Sequence, residues 1–191
     1  FNAISRLISP EINTAAYTLL AFKFKHFLDD YDGSGYALRV QTRSGNRGDW
    51  VDVWSVNPTG DIGPVEEIIE ITNSDVGAED FQIAIVFDGN SYNLDNWYID
   101  DIELFAPLPV DAAMTAITTP AYLLGAQAIE GSFVNMGATN ITSIDVNWAV
   151  EGGMTYTTSL SGLDIAFGEQ YDFTCSDLFD FPIGAYPTDV W

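Results

Sequence analysis

Apolar residues in this chain recur with a period of two, and that alternation limits the fold more than any other feature. In "LLAFKFKHFL", Leu20, Phe22, Phe24, His26 and Leu28 fall on one face, and Ala21, Lys23, Lys25 and Phe27 on the other. "YALRVQTRS" sets Tyr36, Leu38 and Val40 against Ala37, Arg39, Gln41 and Arg43. "FQIAIVF" sets Phe81, Ile83, Ile85 and Phe87 against Gln82, Ala84 and Val86. Successive side chains of a strand point to opposite faces, so these runs predict strands with one face buried. Further strands are expected over 4–9, 50–56, 65–72 and 97–106, with "VEEIIEI" read as strand from its β-branched residues and flanking Pro64. "DDYDGSG", "SGNRGD", "NPTGDIGP", "TNSDVGAED" and "DGNSYNLDN" punctuate them as turns. No helix of three turns is expected, and the fold class is all-β, an antiparallel sandwich.

"FAPLPVDAA" breaks the series with two prolines and reads as a short stiff linker, residues 107–112, between a domain over 1–106 and a second over 113–191. In the second, strands are expected over 113–119, 127–135, 141–150, 154–160 and 170–175, a length and pattern that suit an immunoglobulin-like sandwich. The chain begins at Phe1 and ends in "AYPTDVW", so it reads as a piece of something longer, its second sandwich short of a last strand.

The formal charge is −22, and all six Lys and Arg residues lie at or before Arg47. This excludes nucleic-acid binding by the second half. Such an acidic surface repels itself unless ions screen it, which suits a secreted, salt-exposed protein, with an acidic cytosolic protein as the alternative. No run of 18 apolar residues is present, so no membrane-spanning helix is expected. Cys175 is the only cysteine and His26 the only histidine, so neither a disulfide nor a cysteine zinc site arises within the chain. Both residues, with Trp148 and Trp191, are expected in cores.

"ISRLISPEINTAAYTLLAFKFKHF", "GSGYALRVQTRSG" and "NWYIDDIELF" resemble the MAM-like or cleaved-adhesin jelly-roll modules of bacterial secreted and surface proteins, over residues 1–106. "DAAMTAITTPAYLLGAQAIEGSFVNMGATNITSIDVNWAVEGG" resembles the Ig-like, CARDB-type adhesion domains that follow such jelly rolls. The resemblance implies a jelly roll followed by an Ig-like sandwich, extracellular or cell-surface, with an adhesion or glycan-binding role, non-catalytic, within a larger multidomain protein. It also implies bound calcium, since related jelly rolls carry such ions.

Three sets of residues are candidates for that role. Asp29, Asp30 and Asp32 crowd a glycine-bearing turn, and Asp100 and Asp101 lie in "NWYIDDIELF". Calcium takes six to eight oxygens, so one ion between turn and closing strand accounts for both, the more so because adjacent carboxylates in a strand put one toward the packed side. The turn is no EF-hand, because Gln41 stands where a bidentate Glu is required. The plainer reading is a solvated hairpin turn. Trp50, Trp54, Tyr92 and Trp97 are the aromatic case for glycan stacking, with Trp50, Asp52 and Trp54 on one strand face; the alternative is that they fill the sandwich. Lys23, Lys25, Arg39 and Arg43 form a basic patch on the outer faces of two strands, either to dock an acidic protein partner, a second copy included, or merely to solubilise.

A non-catalytic adhesion or glycan-binding module, stiffened by calcium, is therefore the leading expectation. A structural subunit of an extracellular fibre, assembling by strand exchange, is the first alternative. The accessory part of a secreted peptidase or glycosidase is the second.

Overall fold

The computed structural model describes residues 2–45, 48–121 and 125–191. Among the described residues thirteen strands and one short 3-10 turn form, and the chain divides into two compact units, Phe1–Ala106 and Pro107–Trp191. It is all-β.

In the first unit the strands are β1 (Asn2–Ile8), β2 (Leu20–Asp30), β3 (Tyr36–Arg43), β4 (Val51–Val56), β5 (Ile62–Ile71), β6 (Gln82–Asn90) and β7 (Leu94–Phe105). They form a four-stranded sheet ordered β1-β6-β3-β4 and a three-stranded sheet ordered β5-β2-β7. Every pairing is antiparallel, and the chain crosses repeatedly from one sheet to the other, the interleaving of a jelly roll. The alternation in the sequence sets the layers. Leu20, Phe22, Phe24, His26 and Leu28 of β2 are all buried, as are Tyr36, Leu38 and Val40 of β3 and Ile83 and Ile85 of β6. One core cluster gathers Phe22, Phe24, Val40, Ile69, Ile71, Phe81 and Ile85; a smaller one gathers Leu28, Tyr36 and Leu38.

His26 sits within this core at 3% exposure. Trp97 Nε1 donates to its Nδ1 at 3.1 Å, which leaves the ring proton on Nε2, facing Glu67 Oε1 at 3.5 Å. Phe24, Trp54 and Trp97 pack their rings around the imidazole.

The "DDYDGSG" stretch is not a hairpin turn. It joins β2 to β3, which lie in different sheets, so it arches over the edge of the sandwich. Gly33 (φ 59°) and Gly35 (φ 73°) supply the left-handed backbone that the arch needs. A side chain at Gly33 would also meet the Thr59 carbonyl carbon at 2.9 Å.

The second unit contains β8 (Ala112–Ile117), β9 (Gly125–Asn135), β10 (Ile141–Val150), β11 (Thr155–Ile165), β12 (Gln170–Phe181) and β13 (Thr188–Val190). Two three-stranded sheets, β11-β10-β13 and β12-β9-β8, enclose a core of Ile129, Phe133, Val146, Trp148 and Phe173, with Trp148 stacked on Tyr156 at 4.3 Å. Cys175 is buried here, and that burial pushes its thiol up, against a hydrogen bond with Thr158 that acts the other way. Trp191 is not in the core: its side chain is 56% exposed while its backbone pairs with Asn147.

The proline-bearing stretch before β8 is not a free linker. Leu108, Pro109 and Asp111 accept backbone hydrogen bonds from Ala138, Thr139, Met136 and Gly137, which builds it into the second unit.

Candidate functional site

The outer face of the sheet β1-β6-β3-β4 carries an extended polar construction. Antiparallel register puts Arg6 of β1, Val86 of β6 and Arg39 of β3 in one row. Gln41 pairs with Ala84 in the next row, and Arg43 with Gln82 in the one beyond. Val86 and Ala84 point outward yet are only 0% and 1% exposed, because the long polar side chains on either side fold over them.

These side chains bond to one another in series. Arg6 Nε donates to Gln41 Oε1 at 2.9 Å, and Gln41 Nε2 donates to Asp52 Oδ1 at 2.7 Å. Arg39 Nη1 donates to Asp52 Oδ2 at 2.5 Å, while its Nε lies 3.3 Å from Asp88 Oδ2 without the direction of a hydrogen bond. Arg43 Nε and Nη2 both donate to Gln82 Oε1, at 2.9 and 2.8 Å. The Trp50 ring lies under two guanidinium groups, with Arg43 Cζ 4.4 Å and Arg6 Cζ 5.5 Å from its centroid.

A bulge in β4 sorts the tryptophans. Val40 pairs with Trp54 but Gln41 pairs with Asp52, so Val53 is the extra residue. Trp50 and Asp52 stay on the outer face, whereas Trp54 turns inward and meets Phe24 edge-on at 5.7 Å. Trp97 is likewise turned in, on His26. Trp50, Trp54, Tyr92 and Trp97 therefore make no common stacking platform. Tyr92 is 73% exposed in the 3-10 turn Ser91–Asn93, and it stands edge-to-face with Tyr31 at 5.6 Å. Tyr31 was not singled out from the sequence. Its partner lies 61 positions on, and no pattern within either segment announces the pairing.

A groove of about 530 Å³, of mixed polar and apolar lining, opens between the arches Gly33–Gly35 and Asn57–Thr59, with Arg39 and Asp88 at its side and Ala37 and Gly89 beneath. Any side chain at Gly89 (φ 145°) would strike Gly35 O, so the floor has to stay bare. Asn93 ties groove and tyrosines together: its carbonyl accepts from Tyr31 N at 3.2 Å, and its side-chain amide donates to Ser34 O at 2.7 Å.

The five carboxylates expected to share calcium are not gathered. Asp29 pairs with Asn96 and Asp30 with Leu94, whereas Asp100 pairs with Lys25, well along the strand. The closing strand also avoids burying a carboxylate. A register shift between Lys23 and Lys25, with Asp101 at φ 50°, forms a bulge that leaves Asp100 and Asp101 both exposed. Asp101 bonds Lys25 at 2.8 Å; that hydrogen bond and charge hold its carboxyl below the usual range and the Lys25 amine above its own. At the arch, Asp30 accepts from the Tyr36 hydroxyl, Asp30 N donates to Asp61 Oδ1 at 3.0 Å, and Asp32 is exposed. Burial, then the bond to Asp30, then the charges of Asp30 and Asp61 push the Tyr36 phenol well up. Among the described residues no three acidic, His or Cys side chains are placed to hold a metal together. The residues do not fit an ion bridging arch and closing strand.

Nor do Lys23, Lys25, Arg39 and Arg43 form one patch. β2 and β3 lie in opposite sheets, so the lysines and the arginines are on opposite outer faces. Lys23 pairs with Glu103 at 3.0 Å, and Lys25 and Arg39 have the carboxylate partners already described.

No protein-family model matches this sequence, and a search of curated proteins gave no match.

Proposed function

We propose that the chain is a non-catalytic adhesion or glycan-binding module of a secreted or cell-surface protein, part of a larger multidomain chain, as its resemblance to MAM-like jelly rolls with CARDB-type partners implies. The observation that carries this reading is the groove between the two arches, tied through Asn93 to the exposed Tyr31–Tyr92 pair. Sugar rings stack on aromatic faces, and Ser34, Asn57, Thr59 and Asp88 offer donors and acceptors for hydroxyls at the same end of the sandwich. Binding is favoured over catalysis because the face's carboxylates, Asp52 and Asp88, are engaged by Arg39, and His26 is sealed in the core. Calcium enters the proposal from the resemblance alone, since among the described residues no three acidic side chains are placed to hold an ion together.

A glycan array probed with the whole chain, with calcium and with chelator, tests this. Binding is expected to fall by about tenfold or more in Tyr92→Ala and in Asn57→Ala. Unchanged binding in both would remove the groove as the site, and indifference to chelator would remove calcium from it.

A second reading, a fibre subunit assembling by strand exchange, is favoured by one feature of the second unit. β13 pairs only with β10 among the described strands, and beside it an apolar groove of about 770 Å³ is lined by Ile117, Ile129, Phe181, Ile183 and Tyr186. Native mass spectrometry showing only monomer at high concentration would exclude it.

A further inference from the structure

We propose that Arg6 and Arg43, held over Trp50, read an anionic substituent of the ligand, so that the glycan bound on this face is an acidic one bearing sulfate or carboxylate groups. The inference rests on the glycan-binding reading above and narrows its ligand class.

The chain holds 28 Asp and Glu residues against six Lys and Arg. In such a chain a cation at the surface is expected to recruit a carboxylate, and Lys23, Lys25 and Arg39 each do. Among the described residues, Arg6 and Arg43 pair with none. Both are held instead by groups that orient a guanidinium without cancelling its charge. Arg6 Nε is on the Gln41 amide oxygen, Arg43 Nε and Nη2 are on the Gln82 amide oxygen, and both lie against one indole. Gln82 is itself fixed, its Nε2 donating to Ser9 O at 3.0 Å. The cation–π contact adds attraction while preserving the full positive charge. Two rigid arginines with unspent N–H groups suit a planar carboxylate or a sulfate, which they bind through charge-assisted hydrogen bonds.

The same face offers Ser34, Asn57 and Thr59 at the groove, and β3 runs from the groove floor at Ala37 to Arg43, about 20 Å at strand rise. A ligand using both ends needs neutral hydroxyls at one and anionic groups at the other, along an extended backbone. A polysaccharide carrying acid groups has that chemistry. An acidic peptide would bring carboxylates but no array of hydroxyls for the groove.

Affinity electrophoresis of the whole chain through gels containing heparin, polygalacturonate or dextran separates the cases. Retardation is expected with heparin or polygalacturonate and not with dextran, weakening as salt rises. Arg6→Gln and Arg43→Gln are each expected to weaken it by about tenfold, with Arg43→Lys recovering part of the loss. A thermal midpoint for each variant near the parent's shows that the sandwich is intact; if a glutamine variant fails to fold, the lysine variant and the salt dependence carry the test. Retardation by dextran alone, or acidic-glycan binding that both glutamine variants retain, overturns the anionic assignment while leaving glycan binding standing. Binding to polyglutamate with none to any polysaccharide overturns both.

Discussion

The two units solve the same two-sheet problem with different polar means. The first places a histidine, bonded to Trp97 and Glu67, in its core and covers one outer sheet face with a chain of arginine, glutamine and aspartate contacts. The second has no Lys or Arg at all, and the indole nitrogen of its central Trp148 is buried without a hydrogen-bond partner. Polar partners fix the ring at the centre of the first core, His26, whereas ring packing against Tyr156 holds the indole at the centre of the second, where the buried polar bonds fall to Asn135, which donates to Thr139 O and Ile165 O. Unsatisfied buried groups are costly, so the same kind of substitution should have different consequences in the two.

The largest contrast comes from truncating each core. Phe24→Ala and Trp148→Ala are each expected to cost about 3–5 kcal/mol, and hydrogen exchange should show the loss of protection confined to residues of the substituted unit. Protection lost in both units from one substitution would mean that they fold as one. A smaller contrast separates the indoles. Trp97→Phe leaves His26 Nδ1 buried without its donor and should cost about 1–3 kcal/mol beyond the lost volume, read by chemical denaturation. Trp148→Phe removes no hydrogen bond and should show the volume loss alone. Equal costs would remove polar fixation as the difference between the two indoles.

The smallest effect belongs to Lys25–Asp101, an exposed pair. Asp101 is held below its ordinary pKa, so its contribution is present above the unfolded carboxylate range and is lost as pH falls through its own lowered value. Lys25 is held above its ordinary pKa, so its contribution is lost only as pH rises through that raised value. Asn tolerates the positive φ of this position, so Asp101→Asn isolates the charge. Its midpoint should lie slightly below the parent's at neutral pH and meet it in acid; a gap that persists in acid would point to backbone strain.

The alternation in β2, β3 and β6 made the core of the first unit legible, because period two in a half-buried strand is a direct record of which side faces in. Alternation fails wherever a bulge inserts a residue. Trp54 is inside and Asp52 outside because Val53 is extra, and Asp100 and Asp101 are both exposed because β7 slips by one against Lys25. Sheet membership was not legible either: nothing in "KFKHF" and "LRVQTR" says that their cations lie on opposite faces, since that depends on whether the connecting arch turns back or crosses over. Arg6 was missed for a related reason, its neighbours Gln41 and Trp50 being brought to it by β6 lying between β1 and β3.

The slip in β7 has a bearing on solubility. That strand borders its sheet and exposes Tyr98 and Ile102, the kind of margin on which another chain could stack to start an aggregate. A left-handed residue that follows Asp100 and bonds Lys25 spoils the flat ribbon that such stacking requires, so the kink at Asp101 guards an apolar border.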